Sequence, residues 1–382
     1  MSPGRLLLLS AAVAALAASV RAQSPATSGL VFVGTYTGEK SQGIYAFRFD
    51  RSSGALSPLG LVAETRSPSF LALHPSGRVL YAVNELDDVG AEKGGSVSAF
   101  TLDRGTGRLT LLNTQPSRGA HPCHLTVDRT GRFVLVANYT GGNLSVLPVA
   151  SDGRLGPPIQ VVQHTGSSVN RERQQGPHAH FVTLDPTNRF AIAVDLGADK
   201  LFVYRFDEAT GGLTPNDPPW TATAPGAGPR HFTFHPNGRL AFAINELTST
   251  ITTYAWDGER GTLTAASTTP TTPGPPPPGN STAQIRVHPN GRVVYGSNRG
   301  HDSIAVLQAS LPAGQLTPVA FEPTRGRTPR NFELDPSGQW LIAANQRSDS
   351  LAVFRVSSAE GTLSPSGKLV PAPSPVCVLF LP

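Results

Sequence analysis

Arg230 and Glu246 stand near the two ends of the stretch PRHFTFHPNGRLAFAINE, residues 229 to 246. Between them the sequence predicts a short strand (Phe232 to Phe234), a turn at His235-Pro236-Asn237-Gly238 and an apolar strand (Leu240 to Ile244). Pro fixes φ and Gly accepts positive φ, which is what a tight turn requires. Antiparallel strands return to the end they started from, so the guanidinium and the carboxylate should share one face of the fold. A guanidinium can hold an anion or steady a developing oxyanion, and a carboxylate or imidazole can move a proton. Residues of the same kinds recur at comparable positions: Glu85, His124, Arg173, His178, His180, Arg299 and Arg330.

What could bring these scattered groups together is a repeat. The turn recurs at His74, Asp128, Asp185, His235, His288 and Asp335, and ten residues later always comes Asn or Asp: Asn84, Asn138, Asp195, Asn245, Asn298 and Asn345. A constant offset within a variable period marks a rigid hairpin whose length changes lie in loops elsewhere. A second turn, Gly-x-Leu, begins at Gly54, Gly107, Gly153, Gly211, Gly261, Gly314 and Gly361. Each repeat therefore has four strands, A to D, in about 50 residues, the pattern of a β-propeller blade. The fold expected is all-β: a seven-bladed β-propeller with four antiparallel strands per blade.

The ends specify closure. LVFVGTYTG, from Leu30, matches FVLVANYTG, from Phe133, and so reads as a strand B with no strand A before it. PSPVCVLFLP at the C-terminus reads as a lone strand A. Pairing them completes the seventh blade and removes exposed sheet edges. The short turns then fall on the bottom face, while the long segments Leu86–Gly94, His164–Ala179 and Pro270–Gly279 fall on the top. Strands A enter from the top at Ser69, Cys123, His180, Arg230, Ala283 and Arg330, each followed by Phe70, His124, Phe181, His231, Gln284 and Asn331. Strands B end there at Glu85, Tyr139, Leu196, Glu246, Arg299 and Gln346. Such a density of charge beside apolar strands costs desolvation energy, so it points to function. His74, His235 and His288 start bottom turns where Asp stands in the other copies and read as turn residues. His121, His124 and His231 also have a reading as hydrogen-bonded blade histidines, and the arginines and Glu246 one as a structural ion-pair network.

Composition agrees with a turn-rich β protein: 39 Gly and 35 Pro in 382 residues. The net charge of +5 comes from 31 Lys and Arg scattered against 26 Asp and Glu, which disfavours nucleic acid as a partner. Arg5, the apolar run Leu6 to Val20 and the small residues before Gln23 read as a secretory signal over residues 1–22, with one propeller domain over 23–382. A periplasmic or secreted monomer without stable membrane association is expected. Cys123 and Cys377 fall in blades that are not neighbours and should be free thiols. Trp220, Trp256 and Trp340 are expected to pack between blades.

SVNRERQQGPHAHF, GPRHFTFHPNG, INELTSTITTY, SNRGHDSIAVL and PRNFELDPSGQWLIAANQRSDSLAVF together resemble the lactonase family of seven-bladed propellers, over nearly all of the chain beyond the signal. Its best-known activity is that of 6-phosphogluconolactonase, and the chain is also similar to the fungal carboxymuconate lactonising enzymes. The resemblance implies a channel-mouth set of one His, two Arg and one Glu, which here are His180 (or His178), Arg230, Glu246 and Arg299, with Arg173 also matching. It implies hydrolysis of a small-molecule lactone. His180 or Glu246 would activate water, Arg230 or Arg299 would hold the oxyanion, and Arg173, Arg330, His124, His178 and Glu85 would bind substrate. No G-x-S-x-G is present, which disfavours an acyl-enzyme. No cofactor and no metal are expected, although Glu85 and Glu246 are oxygen donors of the kind Ca²⁺ or Mg²⁺ takes. Two other readings are a non-catalytic binding propeller of the envelope and a muconate-type lactonising cycloisomerase.

Overall fold

The computed structural model describes residues 28–89, 92–367 and 369–381. The secretory signal expected over residues 1–22 lies outside them. Seven blades form, each a sheet of four antiparallel strands in the order A-B-C-D, the sixth carrying Val370–Pro371 as an extra piece, and a separate two-stranded ribbon pairs Asp88–Val89 with Glu92–Lys93. The founding hairpin is Pro229–Phe234 and Leu240–Asn245, continued by Thr250–Asp257 and Thr262–Pro270. In the seventh blade the C-terminal strand Pro375–Leu381 is innermost and pairs with Ser28–Thr35, followed outward by Gly43–Asp50 and Leu56–Glu64. That is the closure expected from the two chain ends. The C-terminal strand packs between the inner strands Pro329–Leu334 and Leu71–Leu73, which shuts the ring.

Local chemistry explains why the repeats hold this shape. At the bottom turns Asp128 accepts the backbone N–H groups of Thr130, Arg132 and Phe133, and Asp185 does the same for Thr187, Arg189 and Phe190. Where His replaces Asp, one imidazole nitrogen serves the turn and the other reaches the next blade, as His235 Nε2 does to the Gly291 carbonyl at 2.6 Å. These histidines are turn residues, far from the mouth. All seven Gly-x-Leu glycines have positive φ, between 69° and 87°. A Cβ on most of them would strike the start of strand B in the adjoining blade, as Gly211 would meet Phe133. The Asn or Asp ending each strand B is buried, and several bond the loop between blades: Asn138 to Ser117 O, Asn298 to Thr271 O, Asn345 to Thr324 O. Asp195 instead accepts from His164 Nδ1 at 2.7 Å in a fully buried pair.

The core lies between blades, in clusters that each draw on neighbouring sheets. Trp256 and Trp340 are buried there as expected. Trp220 is not: it is 41% exposed on an outermost strand, with Lys200 Nζ 4.4 Å above its ring. An outermost strand has no further sheet to cover it. Both cysteines are free and buried.

Candidate active site

Inner strands carry one feature that alternation alone does not produce. In six of the seven the register slips at the top, leaving one residue unpaired: Cys123, His180, Arg230, one of Ala283 and Gln284, Arg330, and Val376. A β-bulge bends the strand and re-aims the extra side chain. Cys123, His180 and Arg330 are thereby turned toward the mouth, where they line a cavity of about 290 Å³ with Glu85, Tyr139, Glu246 and Arg299. Arg173 reaches the same cavity from the long loop before the third blade.

Glu246 is the centre of the arrangement. Its Oε1 accepts from Arg173 Nη2 at 2.7 Å, and its Oε2 accepts from Arg230 Nε at 2.9 Å and Arg299 Nη2 at 2.8 Å. Burial opposes its charge, but Arg299, Arg230 and Arg173 overcome that and hold the carboxyl well below the usual range. A carboxylate so strongly held is a poor proton acceptor and a good anchor. Arg230 lies one layer under the cavity wall, 2% exposed, and also donates to the Ala283 carbonyl and to His231 Nε2. Burial, then Arg299 and Arg330, pull its guanidinium below its ordinary value.

His180 sits on the wall with Nδ1 3.7 Å from the Cys123 sulfur. Burial foremost, then Arg230 and Arg330, drive its pKa well below the ordinary value, so the imidazole is neutral at pH 7. The neighbouring His178 stays outside this wall. It stacks on Tyr139 at 4.6 Å and donates to the Tyr139 carbonyl at 3.1 Å. His124 is not at the rim either: it follows its bulge and points into the channel, between Phe70 at 4.1 Å and Phe181 at 3.9 Å. With His231, these rings form an aromatic layer beneath the mouth. The correction has a simple cause, since the residue after a bulge does not share the bulged residue's direction.

The remaining carboxylate, Glu85, accepts from Tyr36 Oη at 2.9 Å, and that oxygen in turn accepts from Arg330 Nη2 at 2.8 Å. Tyr139 Oη likewise accepts from Arg173 Nη2 at 3.1 Å. The sequence placed Tyr139 at the mouth without a role and did not single out Tyr36. A signal for them existed: the match of LVFVGTYTG to FVLVANYTG puts Tyr36 and Tyr139 at the strand-end position that also holds Glu85, Glu246 and Arg299. Among the described residues no group of three or more His, Cys, Asp or Glu is placed to hold a metal ion. No helix among them is long and apolar enough to cross a membrane.

Comparison with known proteins places this geometry in context. The family model described as Lactonase, 7-bladed beta-propeller, matches residues 30–380. The 6-phosphogluconolactonase of Bacillus subtilis is 37% identical over 305 residues, covering 80% of this chain and 84% of that protein. That of Formosa agariphila is 33% identical, with 79% and 85% covered. Among solved structures, the periplasmic gluconolactonase of Pseudomonas aeruginosa superposes with a TM-score of 0.85 at 34% identity, covering 92% of this chain and 99% of that one.

Proposed function

The chain belongs to the lactonase family of seven-bladed β-propellers, and from that premise we propose that it hydrolyses a sugar-type lactone, as a 6-phosphogluconolactonase does, at the mouth described above. The observation that carries the reading is one cavity holding a neutral imidazole beside arginines fixed by a shared carboxylate. His180 takes a proton from water as the water oxygen bonds to the lactone carbonyl carbon. The carbonyl oxygen becomes an oxyanion facing Arg299, or Arg330 across the cavity. When the ring C–O bond breaks, the imidazolium returns its proton to the departing oxygen, giving the hydroxy acid. Glu246 acts on the arginines: by holding three of them it fixes donors before the reaction begins, which is where electrostatic catalysis gains most. Glu85, through Tyr36, is an acceptor suited to a sugar hydroxyl.

Residues 1–22 read as a secretory signal, and the P. aeruginosa relative is called periplasmic; both support work outside the cytoplasm. Cell fractionation with N-terminal sequencing tests this, with a mature start near Gln23 expected and a cytoplasmic, full-length chain overturning it.

The deciding experiment for the activity is a pH-stat panel of sugar δ-lactones with the native protein, His180→Asn and Arg299→Gln. Loss of a positioned base costs about 10²–10⁴-fold in rate and loss of an oxyanion donor about 10²–10³-fold. Equal turnover in all three proteins, or none in the native one, rejects the proposal.

A further inference from the structure

Next to the reaction cavity lies a second one of about 370 Å³, opening on the same face between the fifth and sixth blades. Arg299 and Arg330 line both cavities, and Arg327 and Arg347 line only the second. Four guanidiniums thus face a single carboxylate, Asp302. That carboxylate is already committed to the backbone, since its Oδ1 accepts from Gly300 N at 3.1 Å and Thr328 N at 2.8 Å. The side chain of Arg347 makes no hydrogen bond or ion pair among the described residues, and that of Arg327 only grazes the Arg347 carbonyl at 3.4 Å. Arg299 and Arg330 have Glu246 and Tyr36 on the side of the reaction cavity, whereas Arg327 and Arg347 have no counter-charge among the described residues, and like charges gathered in this way repel one another. They become favourable when an anion enters, because guanidinium forks match phosphate and carboxylate oxygens.

Continuity with the reaction cavity restricts what that anion can be. Arg299 and Arg330 wall both spaces, so one ligand can occupy both. A δ-lactone with its carbonyl near His180 carries its exocyclic carbon on the far side of the ring oxygen, so a group on that carbon can extend toward the second cavity.

We infer that the second cavity is an anion subsite, formed by Arg327 and Arg347 with Arg299 and Arg330, for a phosphate or carboxylate on the lactone's tail. Anionic lactones are then preferred over neutral ones of the same ring. This rests on the lactonase reading but adds a subsite that the reading does not require.

The test uses the mature protein and the double variant Arg327→Gln/Arg347→Gln. Both residues are exposed, so the core is untouched, and circular dichroism verifies folding. Initial rates are measured on 6-phosphoglucono-δ-lactone, on a glucaro-δ-lactone bearing a carboxylate, and on neutral glucono-δ-lactone. The ratio of kcat/KM for anionic over neutral lactone is expected to fall at least about tenfold, mainly through KM, as for losing one charge-assisted contact. Whichever anionic lactone responds more identifies phosphate or carboxylate as the natural group. A ratio within about twofold of native overturns the subsite. If no lactone turns over, the lactonase reading fails by itself, and calorimetry with inorganic phosphate still decides the subsite. Binding to the native protein that the double variant loses supports it; no binding, or equal binding by both, rejects it.

Discussion

Glu246 meets three guanidiniums within 2.9 Å, two of them from strands separated by more than fifty residues of chain. Taking away one partner of a buried ion pair leaves the other charge uncompensated, at a cost of roughly 3–5 kcal/mol. Glu246→Gln should therefore lower the free energy of urea unfolding by about that amount, and abolish most turnover because the arginines lose their common anchor. A change within about 0.5 kcal/mol would mean the arginines hold each other's places by packing alone. The three buried imidazoles make a separate prediction. His124, His180 and His231 are kept neutral, first by burial and then by nearby cations, so each pKa is lower folded than unfolded. Below about pH 6.5 the unfolded chain binds more protons, so stability falls as pH falls, by about 1.4 kcal/mol per unit for each imidazole. The thermal midpoint should drop between pH 7 and 5, and His124→Phe, which keeps a ring between Phe70 and Phe181, should make the slope shallower. Residue types at the mouth were legible in the sequence, but their directions were not. His180 and His178 read there as alternatives for one role and His124 as a substrate contact or a blade histidine, yet His178 stacks on Tyr139, His180 lines the cavity and His124 fills the channel.

Each blade has the four strands the repeat predicted, because turn residues at a fixed offset leave a trace that spacing reveals. The short ribbon Asp88–Val89 with Glu92–Lys93, inside the segment Leu86–Gly94 read as a loop, has no such trace. The bulge leaves none: its positions hold Cys, His, Arg, Arg and Val in different blades, with no shared chemistry for a reader to find. It depends on how two strands pair, not on what one strand contains. The exposed position of Trp220 was equally hidden, since distance from the ring axis is not written in local sequence. Gly-x-Leu turns, by contrast, give a direct test. Gly211 has φ 77° and a Cβ there would lie 2.5 Å from the Phe133 ring. Gly211→Ala should destabilise by more than about 1 kcal/mol, through backbone strain and the displaced ring. Gly38→Ala, with nothing within 4 Å, is the matched control and should be close to neutral. Equal denaturation midpoints for the two variants would show that the turn absorbs a side chain freely.

Circular closure makes blades interdependent, because the first and last strands of the chain share one sheet. A chain ending at Ser374 lacks the inner strand of the seventh blade and exposes the edges of Ser28–Thr35 and of the adjoining core. It should lose its cooperative melting transition, which calorimetry would show; a sharp transition near the native temperature would mean that six complete blades hold the ring. The same closure is what packs Phe70, His124, Phe181 and His231 from three blades and a preceding loop into one layer across the axis. That layer turns the site into a cul-de-sac. Opening a lactone replaces a neutral ester with a carboxylate, so every turnover deposits a negative charge at the bottom of a positively charged dead end. The exit is also the entrance, and each departing molecule blocks the next. Where escape rather than bond-making is the slow event, added salt, by screening the charges that detain the acid, should raise kcat while also raising KM, and a kcat indifferent to salt would place the slow step in the chemistry.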